Sequence, residues 1–127
     1  MNNETKLPIT LTDDELKKYE DRCKEIESEL KVSKVHCCVQ IKQDGTNERI
    51  VSFIQDPNYT TKLALMDKAS IVGSMMAAEE LRLMCQLKEQ SDSLTYGDAS
   101  ECDFYKLGVA RFCMDIIVYA TNQFKKK

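Results

Sequence analysis

The 127-residue sequence predicts an α+β fold: an N-terminal amphipathic helix, a β-hairpin, then a bundle of about three helices. Three observations carry this reading. Apolar residues recur at helical spacing over residues 16–30, at a spacing of two over residues 35–41, and at helical spacing again beyond an Asp56-Pro57 break. The length suits one hydrophobic core and no composition shift divides the chain, so residues 1–127 are expected to form a single domain. Within it, residues 1–10 read as a flexible leader, 11–32 as helix, 35–54 as hairpin and 57–124 as the helical part.

The first helix is announced by Leu11-Thr12-Asp13-Asp14-Glu15-Leu16. Thr12 is a capping residue with Glu15 three positions on, and apolar residues flank the cap, which together make a capping box and a hydrophobic staple. From there Leu16, Tyr19, Cys23, Ile26 and Leu30 follow at spacings of 3, 4, 3 and 4, among mostly charged neighbours. So narrow a stripe suits a helix laid on one surface, either this chain's own body or another chain. These five residues are the first candidate partner-binding set.

Val35, Cys37, Val39 and Ile41 then alternate with His36, Cys38 and Gln40, a strand pattern. Asp44-Gly45 marks a turn before Ile50, Val51, Phe53 and Ile54, and the two runs make a hairpin. Two strands alone are marginal in water. A helix is therefore expected to cover the hairpin, or its free edge to accept a strand from another subunit.

After the hairpin, Asp56 is expected to cap a helix and Pro57 to fill its first position. Residues 59–68 read as a short helix and 70–89 as a second, with Gly73 near its start costing only about 1 kcal/mol relative to Ala. Met75 and Met76, with Met66 and Met84, form a sulfur-rich apolar zone, which serves either as core filler or as a plastic binding surface. Met75 and Met76 are the second candidate partner-binding set. Residues 90–99 are low in hydrophobicity and read as a mobile loop. Ser100 with Asp103 opens the last helix, which runs through Tyr105, Val109, Phe112, Ile116 and Tyr119 to about Phe124. It is apolar on more than one face and is expected to be the central core element.

Composition excludes several functions. Eighteen basic and 21 acidic residues give a net charge of −3 and are interleaved, so nucleic-acid binding is disfavoured; the one basic cluster is Lys125-Lys126-Lys127. No apolar run is long enough for a secretion signal or a membrane span, so a cytoplasmic, membrane-free protein is expected. The six cysteines lack regular spacing and read as reduced, buried thiols.

The sequence shows no catalytic motif. His36 is the single histidine, and Cys38, on the same strand face, is its one nearby nucleophile; the two read as a solvent-facing pair. An exposed Cys38 is also the one candidate redox sensor. Zinc-type ligand spacing is missing, and glycines at 45, 73, 97 and 108 are too scattered for a phosphate loop. The carboxylate pairs Asp13-Asp14 and Glu79-Glu80 read as a helix-dipole partner and a solvated face. The expectation is a non-enzyme with no catalytic, cofactor or metal residues.

The segment Ile50-Val51-Ser52-Phe53-Ile54-Gln55-Asp56-Pro57, the helix around Leu63-Ala64-Leu65-Met66 and the end Phe124-Lys125-Lys126-Lys127 resemble small tailed-phage assembly proteins. These are tail assembly chaperone-like proteins or minor virion proteins. The resemblance implies protein binding during virion construction, in the host cytoplasm or in the virion, and carries no catalytic residues. The leading expectation is thus a non-enzymatic protein-binding module, with a structural phage protein or a host protein as partner and homo-oligomerisation as a further option. The alternative is a regulatory or anti-defence protein that binds and inhibits a host enzyme. A third is an enzyme or ligand sensor with a pocket that sequence does not reveal.

Overall fold

The computed structural model describes residues 11–122, with side chains as far as Ile117. The expectations of a flexible leader over residues 1–10, of a helix end at Phe124 and of a basic tail fall outside the described residues. Helix α1 spans Asp13–Leu30, strands β1 and β2 span Val35–Ile41 and Arg49–Gln55, and helices α2, α3 and α4 span Tyr59–Val72, Ser74–Cys85 and Asp103–Asn122. The fold is α+β, in the order that the periodicities predict.

Local signals set the ends of α1. Thr12 Oγ1 accepts from the Glu15 N–H and Glu15 Oε1 accepts from the Thr12 N–H, each at 3.1 Å, closing the expected capping box. At the other end Lys31 turns left-handed (φ 59°), and the Val32 N–H donates to the Glu27 carbonyl at 3.0 Å. That tight exit sends the chain directly into β1.

The strands pair antiparallel from Val35 opposite Gln55 to Ile41 opposite Arg49. Alternation gives the hairpin two working faces. Val35 and Phe53 bury against Cys23 and Ile26 of α1, whereas Cys38 and Ile54 join Leu65, Ala77, Leu81, Val109 and Cys113 in the larger core. The hairpin is therefore the middle layer between α1 and the three later helices, with both faces covered. Val109 and Cys113 are fully buried, so α4 is the central element that the sequence indicates. Gly108 lies so close to Gln40 that a Cβ there would meet the Gln40 amide, whose Nε2 donates to the Tyr105 carbonyl at 3.1 Å.

Four expectations need correction. First, residues 90–99 are not a loose loop throughout: 3-10 turns fall at Lys88–Gln90 and Ser93–Thr95, and residues 87–92 pack on the outer edge of β2. Phe53 exchanges bonds with this segment, its carbonyl accepting from the Leu87 N–H at 2.8 Å and its N–H donating to Ser91 Oγ at 3.0 Å; the Asp92 N–H reaches the Val51 carbonyl at 2.9 Å. Thr95 is fully buried, donating to the Asp92 carbonyl and accepting from Gln86 Nε2. Ser91 and Asp92, two of the polar residues that suggest a loop, satisfy a strand edge instead.

Second, Asn58 and not Asp56 caps α2, its side chain accepting from the Thr61 N–H at 2.8 Å. Third, α2 continues to Val72 and stops at Gly73, whose φ of 105° and ψ of 152° belong to glycine alone. The glycine read as a tolerated interior residue is the corner between two helices. Fourth, the Glu79-Glu80 face is only partly solvated, because both carboxylates are ion-paired. Arg82 is buried and forks onto both Glu79 carboxylate oxygens at 2.7 and 2.6 Å, and Glu80 pairs with Lys68.

Candidate interaction surfaces

The one residue pair considered for catalysis does not form. His36 Nε2 lies 2.8 Å from Asp56 Oδ1, and Lys62 Nζ lies 2.8 Å from the other oxygen of that carboxylate. Burial draws the Asp56 carboxyl upward, but the bonds from His36 and Lys62 outweigh it and hold the group below its usual range. Cys38 is only 5% exposed, and burial pushes its thiol up to about 11. It is neither solvent-facing nor a thiolate, which corrects both the pair and the redox-sensor readings. The reason is the second layer of helices, which covers the face that a lone hairpin would leave wet.

Other thiols follow suit. Burial raises Cys37 and, to about 12, Cys113. Across the ladder from Cys38, Ser52 Oγ is buried without a hydrogen-bond partner among the described residues. No cluster of three metal-ligating side chains is assembled there either.

The α1 stripe divides. Cys23 and Ile26 are buried against this chain's own hairpin and Tyr19 is half-buried, whereas Leu16 (46%) and Leu30 (41%) stay exposed. Its centre is core, so the five residues do not form one docking face. The open choice between own body and another chain is decided for the middle of the helix.

Two other surfaces are apolar and accessible. A groove of about 500 Å³ follows the outer edge of β1, with Val35, Cys37 and Val39 as its floor, Leu16 and Tyr19 of α1 on one side and Phe112 of α4 on the other. A second, of about 410 Å³, lies between α3 and α4, lined by Met75, Met76, Leu107 and Ala110. The pairs Glu79–Arg82 and Asp103–Lys106 stand along it. In the groove Met76 and Leu107 are 58% and 62% exposed, and near the end of α2 Ile71 is 80% exposed.

No protein-family model, curated protein or solved structure matches this chain. The surfaces must therefore be read from their own chemistry.

Met75 and Met76 lie together on an accessible surface, but Met66 packs against the larger core and Met84 lies by Asp56 and Pro57, so the four methionines do not form one zone. Sequence reasoning missed Leu107, Phe104 and Leu63, all more than a third exposed. A signal for them existed. The apolar residues of α4 occupy more than one face, and those of α2 occupy every face, yet among the residues of α2 only Leu65 is buried. A helix apolar all round is ordinarily covered on all sides. Among the described residues no helix is long and apolar enough to cross a membrane.

Proposed function

We propose that this chain is a non-enzymatic protein-binding module that acts in assembly, in the virion-building setting its sequence resemblance implies. Its partner is a structural polypeptide that lays the apolar face of an amphipathic helix into the groove between α3 and α4. The observation that carries this reading is the exposure of Met76 and Leu107 in a groove lined by Met75 and Met76, with Ile71 exposed just before it in the chain at the end of α2. Contiguous apolar surface of this kind marks interaction sites in soluble proteins, and unbranched thioether side chains adapt to the partner's shape. The Glu79–Arg82 and Asp103–Lys106 pairs supply a charged rim that can set the orientation of the helix.

The test is co-purification of the full chain with tail or capsid polypeptides from infected cells, compared with Ile71→Asp and Met76→Asp. Both substitutions fall on exposed positions and should leave the fold intact while lowering partner recovery at least about tenfold, the loss expected from charging a binding centre. Undiminished recovery with both variants would sink this reading. So would an absence of any structural polypeptide in the wild-type eluate.

A further inference from the structure

The groove beside β1 carries an inference of its own. Phe53 and Val51 direct their N–H and C=O groups to the 86–92 segment, so the ladder bonds to β1 fall on Ile50, Ser52 and Ile54. On β1 the groups of Val35, Cys37, Val39 and Ile41 then point away from β2. Glu27 takes the Val35 N–H at 2.9 Å, and the Ile41 carbonyl accepts from Gln43 Nε2 at 3.0 Å. The N–H and C=O of Cys37 and Val39 have no partner among the described residues. They face a groove walled by α1 and Phe112, and an unpaired strand edge is a template for one more strand.

We propose that this strand is the N-terminal arm, around residues 7–11, of a second copy of the chain, added antiparallel to β1. Handedness weighs against the chain's own arm. Helix α1 runs antiparallel to β1, because Glu15 meets Arg49 at one end and Glu27 meets Val35 at the other. Leu11, which lines the groove, precedes α1 and so lies toward the Ile41 end. Running back from Leu11 along the edge, the arm would be parallel to β1 with α1 as its crossover. For L-residues, a strand seen running upward from the side its side chain faces carries that residue's N–H and C=O on the right. Seen from α1, the groove is thus right of β1 and β2 left, and the crossover would pass leftward in front of the sheet. That is the left-handed connection, and about 98% of such connections are right-handed. An antiparallel path for its own arm would have to return along β1 within Leu11-Thr12, which span only about 7 Å.

A second copy's β1 is disfavoured as well. Clefts open on both sides of α1, one over Val51 and Phe53 and one over the β1 edge, so the helix lies over β1. Pairing two β1 edges would bring two such helices to about the strand spacing of 4.8 Å, where packed helices need about 8–10 Å. A bare extended arm meets no such conflict. Leu7, Ile9 and Leu11 alternate with Pro8 and Thr10. Set opposite Val39 and Cys37, Leu7 and Ile9 turn toward Leu16 and Tyr19 of α1, and Pro8, which has no N–H, falls on the outward register. Ten residues reach up to about 33 Å, more than the length of β1.

Amide exchange and sedimentation of the full chain test this. The wild type should self-associate, and the Cys37 and Val39 amides should be protected about tenfold more at high than at low concentration. Ile9→Asp should abolish both effects, and a synthetic peptide of residues 1–12 should restore protection in that variant. Residue 9 lies outside the described residues, and circular dichroism of Ile9→Asp should match the wild type if the packed layers are kept. Three results would each overturn the proposal: a monomer with fast exchange at both amides, protection that is independent of concentration, or self-association that survives Ile9→Asp. Ile71→Asp should leave the association intact, which separates this proposal from the α3–α4 binding reading. If Ile71→Asp dissolves the dimer and Ile9→Asp does not, the arm is not the occupant.

Discussion

Asp56 stands where the sequence suggests a helix cap, yet its carboxylate binds His36 from β1 and Lys62 from α2, tying the end of the hairpin to the helical layer. Replacing it with Asn should cost about 1–2 kcal/mol near neutral pH, the range for charge-assisted hydrogen bonds reduced for a partly exposed site. The folded-state pKa lies below the unfolded value of 3.8. The carboxylate's contribution is therefore fully present above that value and is lost as pH falls through the folded pKa. Urea unfolding of wild type and Asp56→Asn should give a stability gap at pH 7 that closes as the pH is lowered through the depressed folded-state pKa. A gap unchanged at acid pH would show that the charge is not the source. Asp56 was misread because a cap is judged from sequence neighbours, whereas His36 lies twenty positions away.

At the scale of elements, ends closed by local chemistry were legible and ends closed by distant groups were not. The capping box of α1 needs only Thr12 and Glu15, and the hairpin follows from alternation around an Asp-Gly turn. The break between α2 and α3 needs only Gly73, but sequence does not reveal that this glycine adopts a positive φ. Gly73→Ala should lower stability by about 1–3 kcal/mol, the cost of forcing a side chain into a region that glycine alone tolerates. Open space surrounds the site, so the effect isolates backbone strain from steric contact. A thermal melt equal to wild type would refute the strain. The 86–92 segment was the opposite case. Its polar residues are legible, but their partners on β2 exist only after folding brings the two together.

For the whole molecule, layer order decides which apolar residues are core. Ile26 and Ile71 are the same residue type on amphipathic or apolar helices, yet Ile26 is fully buried between α1 and the hairpin and Ile71 is 80% exposed. Ile26→Asp should therefore unfold the domain or cost more than about 4 kcal/mol, since it buries an unpaired charge. Ile71→Asp should change stability by less than about 0.5 kcal/mol. Circular dichroism during urea titration distinguishes the two. Equal costs would mean that Ile71 is buried in the isolated chain.

The sequence alone determined the α+β class, the order of elements and the central place of α4, because these rest on periodicity and capping, which act within a few residues. Of the candidate sites, it determined that Met75 and Met76 lie together, and it indicated both outcomes open to the α1 stripe. Tertiary structure decided the rest. It buried Cys23 and Ile26, covered Cys38, bonded the β2 edge to residues 87–92 and, among the described residues, left Cys37 and Val39 of the β1 edge without backbone partners. Each of these depends on which element lies across from which, and that is set by the summed packing of three layers, not by any single stretch of chain.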